Sequence, residues 1–408
     1  MKKYHFIQIL FVLLFFLGTS ESYIFSQRKN TPQLKENKNI YIPTPKVVST
    51  GDYLVGAFRC PLWSEKYLPG CWRRIKNFPE RQPLIGWYEE SNPEVIDWEI
   101  KYAVEHGISF FVECLFRKKE NLGKPIEYSH GHWLDGLRKA KFRNHIRYML
   151  LWENNNKIAC GVESEDDLMK NLMPFLIEEH FKQPNYLIIE GKPVLMIYNF
   201  KKFIDNLGGV QNTKMATLKM RKAALDAGFS GLWLLAEHHG RLEKVIPEIK
   251  ESGFDVISSY HWPTFSGLMT KGTVNQQELI KNQVTCWSKL QNVSQLQTIP
   301  TVSMGWDSTP WGGSHNSAKW YLEPKNFEQL CLEAKKHMNN ENNINPFSKM
   351  LLLDNWNEYG EGHYIFPTKQ FGFGYLDAIR NVFSKEKKKH KDILPEDIGL
   401  GPYESINY

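Results

Sequence analysis

The sequence predicts an α/β protein folded as a single (β/α)8 TIM barrel. Three observations carry that expectation. Eight short, apolar, β-rich runs recur along the chain, and stretches with helical spacing separate them. The turn after the first run, Phe58-Arg59-Cys60-Pro61, is nothing like the glycine-rich phosphate loop that a doubly wound sheet normally carries there.

The runs are Tyr53–Phe58, Ile108–Leu115, Ile146–Trp152, Pro193–Tyr198, Gly231–Ala236, Phe254–Ser259, Ile299–Met304 and Met350–Asn355. They are near-continuously hydrophobic rather than alternating, as strands covered on both faces must be. Helical spacing fills Pro93–His106, Glu163–His180, Lys214–Ala227, Leu242–Ser252 and Phe327–Met338. Ser164 or Glu165 opens one of these helices, and Gly107 and Gly228 lie just past the ends of two others. The segment Tyr186–Gly191 reads as an extra strand that turns through Glu190-Gly191 into the fourth run as a small hairpin. With 408 residues, 42% hydrophobic and 13% aromatic, the chain is ample for one large core. The expected organisation is a signal peptide over 1–22, an extended polar lead-in over 23–48, the barrel over 49–384 and a C-terminal tail over 385–408.

Lys2 and Lys3 followed by the apolar run Phe6–Leu17, interrupted only by Gln8, and by small Gly18, Thr19 and Ser20, form an export signal. The run is shorter than the ~20 residues a membrane-spanning helix needs. An exported protein, periplasmic or extracellular, with no membrane span after signal cleavage is therefore expected. The net charge of +6, from 51 basic and 45 acidic residues, does not suggest a nucleic-acid partner. The basic cluster from Lys385 to Lys389 reads as a solvated helix end. None of the six cysteines makes a C-x-x-C pair, so no structural zinc is expected. Most read as buried free thiols, although Cys60 and Cys71 flank one loop and could pair in an oxidising compartment.

Barrel enzymes gather their sites at the C-terminal ends of the strands. Here those ends carry Phe58-Arg59, Glu113, Trp152-Glu153-Asn154, Tyr198-Asn199, Glu237-His238-His239, Tyr260-His261-Trp262, Trp306-Asp307 and Asn357-Glu358. Aromatic faces stack on sugar rings, and Asn, Asp, Glu and His bond hydroxyls, so the mixture suits a carbohydrate. After the last run comes Asn357-Glu358-Tyr359-Gly360-Glu361-Gly362-His363-Tyr364. Glycoside hydrolysis needs two carboxylates, one to protonate the leaving oxygen and one as base or nucleophile. Glu358 and Glu361 stand three apart on a loop whose glycines permit sharp turning, so both can face one cavity. His238, His239, His261 and His363 could in principle bind a metal, but their spacing matches no ligand motif and hydrogen bonding to substrate is the expected role. No cofactor is expected.

This loop, with Pro367-Thr368 and Phe371-Gly372-Phe373-Gly374-Tyr375-Leu376, resembles the C-terminal signature of the WbsX-type proteins, which are related to glycoside hydrolase family 99, the endo-α-mannosidases. Gly86-Trp87-Tyr88, the segment Ile96–Phe111, Gly191-Lys192-Pro193-Val194 with Tyr198, and Gly305-Trp306-Asp307-Ser308-Thr309 resemble the same group, so the likeness covers roughly Tyr53 to Phe383. It departs in the third-strand motif, usually W-A-N-E-N-W and here Trp152-Glu153-Asn154-Asn155-Asn156-Lys157, at Ser308, where asparagine is usual, and at Trp311, where an arginine usually follows the Thr-Pro pair. The resemblance implies a retaining α-glycosidase that works through a 1,2-anhydro sugar, with Glu358 as base toward the sugar 2-hydroxyl and Glu361 as acid/base. Tyr88, Trp152, Asn154, Tyr198, Glu237, His238, Tyr260, His261, Trp262, Trp306, Asp307, Asn357, His363 and Tyr364 are the expected substrate contacts. The expected partner is an oligo- or polysaccharide. A glycosyltransferase and a non-catalytic carbohydrate-binding barrel remain the competing readings.

Overall fold

The computed structural model describes residues 40–126, 132–155, 160–237, 242–261, 275–294, 296–313, 319–340, 345–386 and 390–405. The expected export signal and most of the expected lead-in lie outside the described residues. Tyr41–Tyr408 forms one compact unit.

Eight parallel strands make the barrel: β1 Leu54–Arg59, β2 Phe110–Phe116, β3 Arg147–Glu153, β4 Lys192–Ile197, β5 Trp233–Glu237, β6 Val256–Ser258, β7 in the two pieces Gln297–Thr298 and Thr301–Ser303, and β8 Met350–Asp354. Each pairs with its neighbours in chain order. The first piece of β7 pairs with β6 (Ile257↔Thr298), the second with β8 (Leu352↔Thr301), and β8 returns to β1 (Leu54↔Met350), closing the ring. The split falls at Ile299-Pro300. Proline has no N–H for a ladder, yet its carbonyl still accepts from Leu352 N at 3.0 Å and Ile299 N donates to Ile257 O at 3.0 Å. The expected continuous run Ile299–Met304 is thus corrected to an interrupted strand that starts two residues earlier.

The longer helices among the described residues are α1 Pro93–Glu105, α2 His132–Lys139, α3 Val210–Asp226, α4 Leu242–Glu251, α5 Gln276–Val293, α6 Pro324–Asn339 and α7 Gly374–Phe383, with a shorter one over Phe200–Asn206. Pro93 at the first position and Asn92, whose side chain accepts from Glu94 N at 3.0 Å, start α1. The expected helix over Glu163–His180 is a run over 165–181 that winds largely with π-type turns. The sequence pattern did not announce α5. Its buried stripe contains a glutamine, Gln283, which interrupts the apolar period but holds β7 by bonding Ser303 O and Ser303 N at 3.0 and 2.9 Å. The small hairpin is present: Ile188–Ile189 lies antiparallel to β4. Glu190 and Gly191 both adopt positive φ, the conformation a two-residue turn of this hand demands.

The segment expected as a tail straps back onto the barrel. Tyr403 N donates to Ile85 O and Ser405 N to Trp87 O, both at 2.7 Å, and Trp98 Nε1 donates to the Tyr403 hydroxyl. Cys60 and Cys71 do not pair, and none of the six cysteines forms a disulfide. Among the described residues no helix is long and apolar enough to cross a membrane.

Candidate active site

The C-terminal ends of the strands open into a cavity of about 940 Å3. Cys60 follows β1, Cys114 and Phe116 come from β2, Glu153 ends β3, and Tyr198, Tyr260 and Trp311 follow β4, β6 and β7; Glu358 and Glu361 follow β8.

The glutamate loop is tightly built. The apolar strand β8 ends in buried Asp354, and a cis peptide joins it to Asn355. The backbone then folds on itself: Glu361 N and Gly362 N both donate to Glu358 O, at 3.2 and 3.1 Å. Asp307 N donates to Glu361 O at 2.6 Å, tying this loop to the one after β7. Two glycines make the approach possible. A Cβ at Gly360 would lie 1.9 Å from the Trp311 ring, and one at Gly362, where φ is +74°, would lie 2.6 Å from Asp307 N.

The electrostatics separate the two glutamates. Glu358 is 3% exposed. Burial first, then the charge of Glu361, pushes its pKa up to about 7, although Cys60 and Trp311 face the carboxylate as donors and His363 pulls the other way. Glu361 instead meets an imidazole: His363 Nε2 lies 3.0 Å from its Oε2. The other side of that ring is anchored, with His363 Nδ1 hydrogen-bonded to Asp354 Oδ1, while Asp354 Oδ2 holds Nδ1 of His261. Burial disfavours a charged His363, but Asp354 and Glu361 outweigh it and push the pKa up to about 10, so His363 is a cation at neutral pH. For His261 burial wins and its pKa falls. Burial works against the Asp354 charge, but the two histidines overcome it and hold its carboxyl well below the usual carboxylate range. Asp354, His261 and His363 cluster closely enough to suggest a metal triad. The two aspartate oxygens each hydrogen-bond one of the rings.

The structure brings Tyr198, Tyr260, Glu358 and Glu361 to the cavity wall. The Tyr260 hydroxyl accepts from Asn355 Nδ2 at 2.6 Å. Other expected substrate contacts stand behind the wall. Asn154 uses its whole amide on Asn199, accepting from Asn199 N at 2.7 Å and donating to Asn199 O at 3.0 Å. Asn357 does the same for the loop after β1, accepting from Cys60 N at 2.9 Å and donating to Cys60 O and Glu90. Glu237 accepts from Tyr260 N at 2.9 Å. Trp152 is fully buried against Phe203, and Tyr88 is buried with its hydroxyl 3.4 Å from that of Tyr359. His261 and His363 are buried under half-buried Trp306, whose ring centroid lies 4.9 and 5.2 Å from theirs. Asp307 and Tyr364 line a separate cavity of about 760 Å3 with Arg81, Lys319 and Gln370. His238 and Trp262 lie outside the described residues.

Sequence reasoning missed four features. Arg81, 5% exposed, clamps the two site loops: Nη1 donates to Tyr359 O at 2.7 Å and to Asp307 O at 3.1 Å, and Nη2 to Asp307 Oδ2 at 2.6 Å. Below the cavity, buried Arg59 lies 2.5 Å from Glu90, 3.2 Å from Glu99 and 3.3 Å from Glu113. Burial alone would weaken the Arg59 charge, and the three carboxylates more than restore it. The thiols of Cys60 and Cys114 lie 3.6 Å apart in the cavity floor. Asp354, the anchor of both histidines, looked like the polar end of a strand. Glu153 and Trp311, two of the positions that depart from the family pattern, both line the cavity.

Comparison with known proteins fits this geometry. The model of the family described as "Glycosyltransferase WbsX" matches residues 77–379. The chain belongs to that family. The protein WxcX of Xanthomonas campestris pv. campestris, itself described as uncharacterized, is 21% identical over 338 residues in each of two strains. The match covers 77% of this chain but 46% of WxcX, so the chain spans about half the length of the curated relatives it matches. A solved "glycoside hydrolase-like protein" shares the fold at a TM-score of 0.60 and 20% identity, over 85% of this chain and 98% of that one. The family 99 endo-α-mannosidase from Bacteroides thetaiotaomicron does so at 0.54 and 15%, over 81% and 96%. The fold of this WbsX family member is that of TIM-barrel glycoside hydrolases.

Proposed function

We propose that this protein is an exported glycoside hydrolase that cleaves α-linked glycans with retention. Glu358 is the base that takes the proton from the sugar 2-hydroxyl, whose oxygen attacks C1 to give a 1,2-anhydro sugar. Glu361 protonates the leaving oxygen and then deprotonates the water that opens the anhydride. One observation carries the reading: two glutamates of one loop line the same cavity, Glu358 buried and Glu361 held against the His363 ring. A base poised near pH 7 is suited to this work, and burial brings Glu358 there. The flanking aromatic residues Tyr198, Tyr260 and Trp311 offer stacking faces for sugar rings. Export rests on Lys2, Lys3 and the apolar run after them.

The family description favours a second reading, transfer from a nucleotide sugar. Such a donor carries a diphosphate. The described cavity lining carries Glu153, Glu358 and Glu361, and among the described residues no lysine or arginine lines it. That arrangement supports hydrolysis of a glycan over transfer from a diphosphate donor.

The test is product release from a panel of α-linked glycans, with nucleotide-sugar donors in parallel, comparing wild type with Glu358→Gln and Glu361→Gln. Loss of at least ~100-fold in both variants on a cleaved glycan is the expected result. Variants as active as wild type would remove the site assignment, and sugar transfer without hydrolysis would establish the second reading.

A further inference from the structure

His363 was expected to touch substrate, yet it is fully buried and both ring nitrogens are engaged by carboxylates. We propose that His363 is a positioning residue for the acid/base pair: anchored on Asp354, it aims its Nε2–H at Glu361 and sets a fixed positive charge beside both glutamates. The inference rests on the hydrolase reading for its catalytic consequence, but the arrangement is testable without it.

The geometry is a linear chain of three groups. Asp354, itself fully buried, fixes the ring through Nδ1, so the opposite nitrogen can point only along the line to Glu361 Oε2, 3.0 Å away. That bond restrains one oxygen of the carboxylate, whose side chain is 32% exposed toward the cavity. A ring oriented by a carboxylate in this way is a recurrent means of fixing the group it contacts. The groups facing His363 come from several elements. Asp354 lies at the end of β8, and Glu358 and Glu361 lie on its own loop. His261 and Tyr260 follow β6, with ring centroids 5.3 and 5.8 Å away. Glu358 in turn faces Cys60, Trp311 and Glu361. Asp354 and Glu361 stabilise the imidazolium, whereas burial lowers the pKa of the neighbouring His261 ring.

Two chemical consequences follow. Once Glu361 has given its proton to the leaving oxygen, the Nε2–H donates to its carboxylate, the form that then takes the proton of the attacking water. The same cation lowers the cost of ionising Glu358, which must be charged to act as base.

The experiment compares wild type with His363→Gln, which keeps a donor but removes the charge. The pH profile of kcat and kcat/KM is recorded on a glycan that wild type cleaves. The glutamate carboxylates are titrated by NMR with 13C-labelled glutamate, substrate or no substrate. An opposite charge at this range moves a carboxylate by about one pH unit or more. The acid limb and the carboxylate that titrates near 7 should therefore both move up by about one unit. The loss in kcat should be about tenfold at pH 6 and shrink as pH rises, with KM changed less than about threefold. A uniform loss at every pH with unmoved titrations would mean that His363 merely fills space, and the proposal falls. If His363→Gln does not fold, Glu361→Gln serves: the imidazole, followed by 15N NMR in both proteins, should titrate at lower pH in the variant than in wild type, and an unchanged midpoint overturns the proposal. If wild type cleaves nothing while the carboxylate titrations move as stated, the hydrolase reading fails and the arrangement around His363 stands.

Discussion

Replacing Glu358 by glutamine should make the protein more stable in alkaline solution while abolishing activity. Burial and the charge of Glu361 raise the Glu358 pKa from its ordinary 4.5 to about 7. The folded protein therefore holds this proton more tightly than the unfolded chain does. The associated stability is fully present below pH 4.5, declines as pH climbs through 7, and stays lost above it. At about 1.4 kcal/mol per pH unit, the interval corresponds to about 3 kcal/mol. Part of this is repulsion shared with Glu361, so about 2 to 3 kcal/mol should be recovered when the carboxylate is replaced by a neutral amide of the same shape. The assay is urea unfolding of wild type and Glu358→Gln at pH 4.5, 6, 7, 8 and 9. The stability difference between the two should be smallest at pH 4.5, grow through neutrality and level off above about pH 8. A difference constant to within about 0.5 kcal/mol across the series would refute the claim that burial, not hydrogen bonding, sets the charge state of Glu358.

Further outcomes are expected elsewhere. Arg81→Leu leaves the Tyr359 carbonyl unpartnered and removes one anchor of Asp307, which keeps Thr309 and Lys319; it should cost about 3 kcal/mol in urea unfolding and lower kcat at least tenfold by loosening both site loops, and an unaffected kcat would show that the clamp holds nothing catalytic. Gly360→Ala drives a methyl group into the Trp311 ring and should lower kcat more than tenfold at a stability cost of about 1 to 3 kcal/mol; full activity would mean that the two loops do not touch in solution. Arg59→Met strands Glu90, Glu99 and Glu113 and should cost about 3 to 5 kcal/mol at pH 8, shrinking toward pH 4.5 as the carboxylates take up protons; a deficit that does not depend on pH would show that packing, not charge, is what Arg59 supplies.

The barrel was legible because its strands are buried on both faces, which writes them as runs such as Met350-Leu-Leu-Leu. The positions of Glu358, Glu361, Tyr198 and Tyr260 at the mouth follow directly from where those runs stop. What stayed hidden has physical causes. Asparagine carries both a donor and an acceptor, so Asn154 and Asn357 fit a sugar or a backbone equally well on paper; only the fold shows that Asn199 and Cys60 already satisfy them. Arg81 lies in an irregular stretch with no periodicity and meets Asp307 226 positions away. Buried Gln283 broke the apolar stripe of α5, and Pro300 divided a run that looked continuous. His363 looked like a ligand to sugar because its partner Asp354, nine positions back, had been counted as the end of a strand.

The pairing of β8 with β1 joins Met350 to Leu54, nearly three hundred positions apart, and the glutamate loop hangs from the end of that closing strand. Its geometry also depends on Asp307 from the seventh unit and Arg81 from the first. Such distant contacts form late, because the entropy of closing a long loop must be overcome before they stabilise anything. Helical signal and local hairpins should therefore return early when the denatured chain is diluted into buffer, and enzymatic turnover last. Recovery of activity would be a clock for ring closure itself, and a partly assembled barrel would be an inert one.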